Sequence, residues 1–274
     1  MSKIRSASQR SASYPYLVWA LIFIIVPLLM VIYYAFTDSQ GHLSFDNILK
    51  IGDYMDTFLL SILLGAIATG ICLIIAYPAA YIMSRMRFSR QKTMLMLVML
   101  PMWINLLLRT YALMGLLEDT GLINRFLSFL HLPTVHMINT PGAVVLGMVY
   151  NFLPYMILPL YSIMTKVEQS VLESAQDLGA NGVEVFRRII LPLSVPGIVS
   201  GITMVFVPSV STFYISQKLG GTSTLIGDII DTKFSHENNY NLGAALSFVL
   251  MIMILICMAV MNEFSDDDGE AIIV

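Results

Sequence analysis

The chain has 274 residues, of which 57% are hydrophobic and 12% are charged, and its formal net charge at pH 7 is -3. A soluble domain usually carries about 25% charged residues, so this chain has too little polar surface to cover a globule in water. The composition therefore excludes an ordinary soluble domain and predicts a protein that lies in a lipid bilayer.

Several apolar segments are long enough to cross that bilayer. A spanning helix needs roughly 20 mostly apolar residues, because the hydrocarbon layer is about 30 Å thick and each residue rises about 1.5 Å. The six predicted spans are Tyr14 to Phe36, Thr57 to Ser84, Thr93 to Leu117, Pro141 to Thr165, Val195 to Ser216, and Leu242 to Asn262. The first follows a basic tail, as a secretory signal does, but it has spanning length and no convincing cleavage site. We therefore predict an all-α polytopic membrane protein with a transmembrane domain at 14–262, an N-terminal tail at 1–13 and an acidic tail at 263–274.

Two segments outside the spans have a pattern of their own. Between the third and fourth spans, Asp119 to Leu130 places Leu122, Phe126 and Phe129 at helical spacing, which predicts a short amphipathic helix at the outer interface. The segment Ser265 to Glu270 is strongly acidic, and its composition predicts a disordered, solvated tail.

The orientation in the membrane follows from the basic residues of the loops. A cytoplasmic N-terminus collects most of them on the cytoplasmic side: Lys3, Arg5, Arg10, Arg85, Arg87, Arg90, Lys92, Lys166, Arg187 and Arg188. The basic residues left on the outer side are Lys50, Arg125, Lys218 and Lys233. Because cytoplasmic loops carry the excess of Lys and Arg, both termini are predicted to be cytoplasmic, and so is the segment between the fourth and fifth spans.

That segment, residues 166–192, is too polar to enter lipid and too regular to be a simple linker. It includes the stretch ESAQDLGANGVEVFRRIILP. An apolar helical face is predicted from Val171, Leu172, Ala175 and Leu178. Gly179 stands where helices commonly end in a left-handed residue, and a second helix from Val183 to Ile190 should stop at Pro192. The segment is therefore predicted to be a helix-turn-helix with small residues, Ala175 and Gly179, at its crest.

This helix-turn-helix resembles the cytoplasmic loop of the membrane subunits of bacterial ABC importers, written EAA-x3-G-x9-I-x-LP. The matching residues are Glu173, Ser174, Ala175, Gly179, Ile189, Leu191 and Pro192. Ser174 replaces the usual Ala, but it is also small. The resemblance implies that the loop docks in a cleft of a separate ATPase subunit, with Asp177 beside Glu173 available for charge pairing.

The same resemblance separates transport from ATP hydrolysis. The chain contains no G-x-x-x-x-G-K-[ST] loop to cradle phosphates, so ATP and Mg²⁺ are expected on the partner ATPase, and this chain is expected to bind no cofactor or metal and to have no catalytic residues. The spans contain several prolines, which permit the bending that alternating access requires. We therefore expect a transport subunit rather than an enzyme.

Further stretches resemble the permeases of spermidine/putrescine importers over nearly the whole chain. They are AYPAAYIMSRM from Ala76, LPMWINLLLRTYALMGLLEDTGLINRFL from Leu100, YNFLPYMILPLYSIM from Tyr150 and GGTSTLIGDIIDTKF from Gly220. The resemblance implies a heterodimer with a second related permease, two ATP-binding subunits, an extracellular or periplasmic polyamine-binding protein and a location in the bacterial plasma membrane. An importer permease for another small solute is the alternative within the family.

A polyamine is a flexible chain of ammonium groups, so its path should offer aromatic faces and a few carboxylates. The candidate path residues are Trp103, Asn105, Tyr150, Tyr155, Phe213, Tyr214, Asp228 and Asp231. For the two aspartates a solvated helix face is the alternative. Tyr111 fits an interfacial anchor better than a path residue. Arg109 is not assigned to substrate, and we expect it to pair with Glu118, Asp119 or the second permease.

Two other classes of protein fit the sequence less well. An ion-coupled secondary transporter would need intramembrane carboxylates or histidines and two related halves, and neither is visible. A membrane-bound enzyme would need a catalytic or metal-binding cluster. The four histidines fall in predicted outer loops without metal-ligand spacing, and Cys72 and Cys257 lie inside apolar runs.

Overall fold

The computed structural model describes residues 15–38 and 40–270, with side chains as far as Met261. Within those residues the regular structure is helical, apart from one isolated antiparallel bridge between Thr37 and Leu43. The predicted N-terminal tail, 1–13, lies outside the described residues. The prediction of an all-α fold is confirmed.

The helices are numbered here in chain order. They are α1 (Pro15–Ala35), α2 (Asp46–Leu49), α3 (Met55–Ser84), α4 (Phe88–Trp103), α5 (Leu106–Leu117), α6 (Leu122–Phe129), α7 (Pro141–Met164), α8 (Gln169–Asp177), α9 (Gly182–Ser211), α10 (Tyr214–Leu219), α11 (Ile226–Ser235) and α12 (Tyr240–Glu270). A 3-10 turn at Lys50–Tyr54 leads into α3, and π-helical turns interrupt α1 at Leu21–Ile25 and α9 at Phe186–Ile190.

Among the described residues, five helices are long and apolar enough to cross a membrane, namely α1, α3, α7, α9 and α12. A sixth span is obtained when α4 is combined with the segment Leu106–Phe129, which meets it at a bend of 90°. The predicted number of spans therefore agrees with the structure. The predicted amphipathic helix is present as α6, which exposes Leu122, Phe126 and Phe129, and its position at the outer interface stays a prediction.

Three predicted boundaries differ from the structure. The third span is not one helix from Thr93 to Leu117, because the chain turns at Ile104 and Asn105, where the Asn105 Oδ1 accepts a hydrogen bond from the Leu107 amide at 2.8 Å and caps α5. The fifth span ends at Ser211 rather than Ser216, because Thr212 is extended. The acidic stretch from Ser265 to Glu270, predicted to be disordered, continues α12 as a helix.

The chain divides into two compact units. The first comprises Met1–Met55 and Ile229–Ile252. Within it, the Asn241 side-chain amide donates to the Thr37 carbonyl at 2.7 Å, and Phe36 packs edge-on against Phe248 with ring centroids 5.6 Å apart. These contacts fix the beginning of α12 against the end of α1.

The second unit comprises Asp56–Asp228 and Met253–Val274 and contains the candidate site. Its core is built where small residues let helices approach closely. A Cβ added at Gly147 of α7 would lie 2.6 Å from a Leu219 methyl group, and one added at Gly65 of α3 would lie 2.8 Å from a Val210 methyl group. In a bilayer such close backbone packing replaces the hydrophobic effect as the force that associates helices. A buried stripe of small side chains continues along α3, at Ala68, Cys72, Ala76 and Ala80.

Candidate functional site

The polar segment between α7 and α9 forms a hairpin, which we define as residues 166–192. Its first arm, α8, ends in a left-handed turn at Gly179, whose φ is +87°. The Gly179 amide donates to the Gln176 carbonyl at 2.9 Å, and the Ala180 amide donates to the Ala175 carbonyl at 3.0 Å. These two bonds make a Schellman motif, which satisfies carbonyl groups at the end of the helix. The predicted helix end at Gly179 is confirmed.

The second arm begins with a capping box. The Asn181 Oδ1 accepts hydrogen bonds from the amides of Val183 and Glu184 at 3.0 Å each, while the Glu184 carboxylate accepts from the Asn181 amide at 2.9 Å. The sequence analysis predicted a turn between the two helices but did not identify this cap. The N-x-x-E spacing was the available signal for this cap.

The predicted stop at Pro192 is wrong, because the second arm passes through a π turn and continues into the fifth span as one helix, α9. The π-helical turn at Phe186–Ile190 immediately precedes Leu191 and Pro192. A π turn shifts the hydrogen-bond register by one residue, which accommodates a proline that has no amide hydrogen to donate. The hairpin arm and the span are therefore one continuous helix.

A small apolar core holds the two arms together. Leu172 of α8 packs with Val185 and Ile190 of α9, and all three are buried. Tyr81 of α3 packs against the same cluster, and so does Ala175. The hairpin is therefore attached to α3 as well as to its own two spans.

The apolar face predicted for α8 is only partly buried. Leu172 and Ala175 face the hairpin core, but Val171 is 44% exposed and Leu178 is 89% exposed. Leu178 is the C-cap residue, where the chain leaves the helix, so it does not continue the helical face. The exposed apolar residues are available for contact with another protein.

Of the two small residues predicted at the crest, Gly179 is exposed, but Ala175 is half-buried against the hairpin core, so from here on the crest denotes Leu178, Gly179 and Val183. Val183 is 74% exposed, and nothing lies within 4 Å of a Cβ built on Gly179. Beside the crest is a cavity of about 350 Å³, whose lining includes Ala175, Gly179 and Ile189. Three positions of the sequence motif thus meet at one concave surface.

The remaining motif residues lie around this surface without joining the cavity lining. Glu173, Ser174 and Asp177 are exposed on α8, and Leu191 and Pro192 are exposed on α9. Among the residues that the structure describes, neither Glu173 nor Asp177 forms an ion pair. No ion pair of these two carboxylates within the hairpin is therefore observed.

Two residues that the sequence analysis did not single out fix the chain near the base of the hairpin: Arg85 contacts the hairpin itself, and Gln91 ties the turn after α3 to α7. The Arg85 guanidinium donates to the Val167 carbonyl at 3.0 Å and lies 5.6 Å from the centre of the Tyr81 ring. The Gln91 side chain donates to carbonyls at the end of α3 and accepts a hydrogen bond from the Tyr161 hydroxyl at 3.1 Å. Their positions in loops and at helix ends gave no distinctive sequence signal.

The predicted path residues lie near two breaks in the helices of the second unit. Trp103 is the last residue of α4 and is 68% exposed, and Asn105 follows it as the cap of α5. Phe213, which is 43% exposed, lies in the break between α9 and α10. Polar or irregular backbone at membrane depth occurs where it is buried in protein or lines a cavity.

The aromatic residues of α7 lie apart from those breaks in the chain. Tyr150 is 42% exposed and Tyr155 is 36% exposed, and the Tyr155 ring meets Phe152 edge-on at 6.3 Å. The structure brings Tyr214 together with Tyr111 instead, with ring centroids 6.1 Å apart. Tyr111 was predicted to be an interfacial anchor and not a path residue.

The two candidate aspartates have roles in the local fold. Asp228 is 5% exposed, and its Oδ2 accepts a hydrogen bond from the Leu225 amide at 2.7 Å, which caps the start of α11. The solvated face considered as an alternative is therefore wrong for Asp228. Asp231 is half-buried and accepts a hydrogen bond from the Ser235 hydroxyl at 3.1 Å. A role of either carboxylate in the path stays a prediction.

Arg109 is buried rather than paired at a span end. Its guanidinium donates to the Asn151 backbone carbonyl at 3.4 Å, and it forms no ion pair with any carboxylate among the described residues. Asp119, one of its predicted partners, instead contacts His136 at 2.8 Å. The predicted pairing of Arg109 with Glu118 or Asp119 is therefore wrong within this chain.

These features define a class of protein. Membrane-length helices that include a broken span, with a polar hairpin between the fourth and fifth spans, are the architecture of a multi-pass membrane protein. Residues 73–266 match the family "binding-protein-dependent transport system inner membrane component". The chain belongs to this family, and the resemblance to ABC importer permeases is confirmed.

The chain is similar in sequence to curated relatives over most of their length. The chain is 36% identical over 254 residues to the spermidine/putrescine transport system permease protein PotB of Haemophilus influenzae, which covers 88% of each chain. It is also 36% identical to PotB of Escherichia coli K12, over 86% of this chain and 90% of the relative. The inner membrane ABC transporter permease protein YdcU of the same organism is 30% identical over 72% of this chain and 67% of its own.

Solved structures support the fold. A chain of a bacterial ABC transporter involved in the import of the acidic polysaccharide alginate superposes with a TM-score of 0.77, covering 96% of both chains at 19% identity. A bacterial alginate ABC transporter in complex with an alginate-bound periplasmic protein gives a TM-score of 0.77 at 18% identity, over 95% of this chain and 94% of that one. At such identities the likeness concerns the fold alone.

Proposed function

We propose that this chain is the membrane-spanning permease subunit of an ATP-driven importer that carries polyamines such as spermidine and putrescine. The observation that supports the substrate most directly is the 36% identity to PotB permeases over nearly the full length of both chains. The alginate transporter shares the fold at 19% identity, and that likeness carries no information on the solute.

The hairpin is proposed to be the site where a separate ATPase subunit acts on the permease. Its crest presents exposed apolar side chains around a glycine, beside a cavity of about 350 Å³. Exposed apolar surface rimmed by charges is typical of a protein interface. Glu173, Asp177, Arg187 and Arg188 are exposed and form no ion pair among the described residues, so they are available to orient a partner. ATP and Mg²⁺ would be bound by that partner.

The remaining parts of the assembly follow from the same proposal. A second related permease would complete the transport path, because Trp103, Tyr150 and Phe213 are exposed on this chain. A polyamine-binding protein would deliver substrate from outside. Both termini and the hairpin would face the cytoplasm of a bacterial inner membrane, as the distribution of Lys and Arg indicates. Movement of the hairpin would switch the spans between outward-open and inward-open states.

Uptake measurements test this proposal. In a strain that lacks its own polyamine importers, the assembled transporter should accumulate labelled spermidine, and vanadate should stop that uptake. Unlabelled putrescine should compete, whereas sulfate and iron chelates should not. Competition by sulfate or by an iron chelate would instead assign the chain to another solute. Uptake that persists without ATP would refute an ATP-driven importer.

A further inference from the structure

Lys218 lies against a pair of aromatic rings. Its Nζ is 5.5 Å from the centre of the Tyr111 ring and 5.8 Å from the centre of the Tyr214 ring. The two rings meet nearly at right angles, with an interplanar angle of 81°. An ammonium group within about 6 Å of an aromatic face is attracted by the negative charge of the π system. We call Tyr111 and Tyr214 the tyrosine pair.

The tyrosine pair lies at the two helix breaks of the second unit. Tyr111 belongs to α5, which follows the break at Ile104 and Asn105, and Tyr214 opens α10, directly after the break at Thr212 and Phe213. The helices α5 and α10 pack against each other. Membrane transporters commonly form their substrate sites where spanning helices are discontinuous. The pair therefore occupies the part of this unit where a binding site is expected.

Lys218 has no carboxylate partner to explain its position. Among the described residues it forms no ion pair, and Asp119, a carboxylate on the loop after α5, contacts His136 instead. A partly buried lysine normally pairs with a carboxylate or extends to water. Here the tyrosine pair provides the attraction that the ammonium group would otherwise obtain from an acid.

The chemistry of the lysine side chain suggests what the tyrosine pair binds. A lysine side chain is a flexible four-carbon stem that ends in a primary ammonium group. Putrescine and the aminobutyl end of spermidine have the same composition: four methylene groups and a primary ammonium. A surface that holds the end of Lys218 therefore fits the end of a polyamine.

We propose that the tyrosine pair is an ammonium-binding site of the transport path, and that Lys218 occupies it until a substrate ammonium group displaces the side chain. The inference rests on the proposed function for the identity of the substrate. Lys218 is then a specificity-determining residue, because only a cation that competes with a tethered ammonium enters the site. In the absence of substrate the same side chain blocks the site to other cations.

Equilibrium binding of labelled spermidine to the purified permease and ATPase assembly, without the binding protein, tests this proposal. Lys218→Met keeps most of the stem but removes the competing charge, so spermidine should bind about tenfold more tightly than to wild type, a change within the range of a cation held by aromatic rings. Tyr214→Leu should weaken spermidine binding whether it is introduced into the wild type or into the Lys218→Met variant. Arg125→Met on exposed α6 removes one positive charge without touching the pair and should leave binding within about twofold of wild type.

A second measurement follows Lys218 itself. Tetramethylammonium binds aromatic faces but carries no reactive amine, so it should displace the lysine and accelerate its modification by an amine-specific reagent several-fold. Sodium chloride at the same ionic strength should not. The modified residue is identified by mass spectrometry of the intact assembly after digestion, so the test needs no variant that folds differently.

The possible results separate the two proposals. If the wild type takes up spermidine but Lys218→Met binds it no more tightly and tetramethylammonium leaves the labelling of Lys218 unchanged, then Lys218 is a structural residue and the ammonium site is refuted alone. If the Arg125→Met control matches Lys218→Met, net charge explains the effect and the site is again refuted. A wild type that transports no polyamine overturns the proposed function, and the assigned substrate of the site with it.

Discussion

Substitutions of Gly179 can distinguish two effects, backbone strain in the turn and disturbed contact with a partner. The two effects rank the substituted residues in opposite orders. The φ of this residue is +87°, so any L-residue with a Cβ is strained there, but no atom lies within 4 Å of the added Cβ. The cost is therefore conformational and amounts to about 1 kcal/mol for Ala, and less for Asn or Asp, which tolerate the left-handed region. A domain with a free energy of unfolding of about 5–15 kcal/mol withstands that loss.

The contact effect has the opposite order. If a partner approaches the crest closely, Ala is tolerated best, Asn less, and Asp least, because Asp adds both bulk and a charge that must be desolvated. We expect Gly179→Asp to insert normally and to abolish substrate-stimulated ATP hydrolysis in reconstituted vesicles, while Gly179→Ala keeps most of it. Gly142→Asp is the matched control: it introduces the same charge in the first turn of α7, outside the hairpin, where an acid is favourable and the nearest atom to the added Cβ, the Thr140 hydroxyl oxygen, lies 3.7 Å away.

Two outcomes would contradict this reasoning. If Gly179→Ala loses more ATP hydrolysis than Gly179→Asn, then strain in the Schellman turn is the cause and close approach at the crest is not. If Gly179→Asp is fully active, the crest is not a contact surface at all. The amount of protein in the membrane, measured for each variant, shows whether a loss of activity reflects degradation.

Three further changes test other parts of the structure. Asn181→Ala removes the capping box and should cost about 1 kcal/mol locally, seen as faster amide hydrogen exchange in the first turn of α9, with no change in α8 beyond its last turn. The Gln40 and His42 amides donate to the Asp38 carboxylate and lower its pKa below the usual 3.8. The stability that this carboxylate contributes is therefore present above pH 3.8 and is lost as the pH falls through the lower native pKa. Asp38→Asn should flatten the acid limb of a profile of thermal stability against pH, and an unchanged limb would contradict this. Val183→Cys, in a Cys257→Ser background, should react with a membrane-impermeant maleimide in inside-out vesicles and not in right-side-out cells, whereas Val135→Cys should show the reverse pattern; the same sidedness for both would overturn the proposed orientation.

The sequence predicted features that depend on local chemistry. The helix end at Gly179 follows from the residue type, since only glycine adopts a φ near +87° without strain. The spans follow from the length of the apolar runs. Pro192 was misjudged because the rule that proline ends a helix assumes α-helical register, and the π turn at Phe186–Ile190 changes that register. The break at Asn105 had a signal, an N-cap residue shortly after Pro101, but uniform hydropathy on both sides concealed it.

Features that depend on packing between distant helices could not be predicted. Arg109 was expected to pair with Glu118, Asp119 or the second permease, yet the approach of α7 buries it against the Asn151 carbonyl. The tyrosine pair joins residues from α5 and α10 that are far apart in the chain. From the sequence, Tyr214 was a candidate path residue and Tyr111 fitted an interfacial anchor, and only the fold shows that both rings lie near one ammonium group.

The continuity of α9 connects the hairpin to the tyrosine pair. Because the second arm and the fifth span are one helix of 30 residues, roughly 45 Å long, a displacement of Val183 at the crest is carried along that helix toward its far end. That far end stops at Ser211, and after two residues α10 begins with Tyr214 and carries Lys218 in its last turn. If an ATPase moves the crest, the movement therefore reaches the residues that hold the ammonium group through a packed helix and a short break. A helix end at Pro192, as the sequence predicted, would have placed a flexible joint between the hairpin and the fifth span. Because the helix continues instead, a mechanical link between the hairpin and the tyrosine pair is physically reasonable.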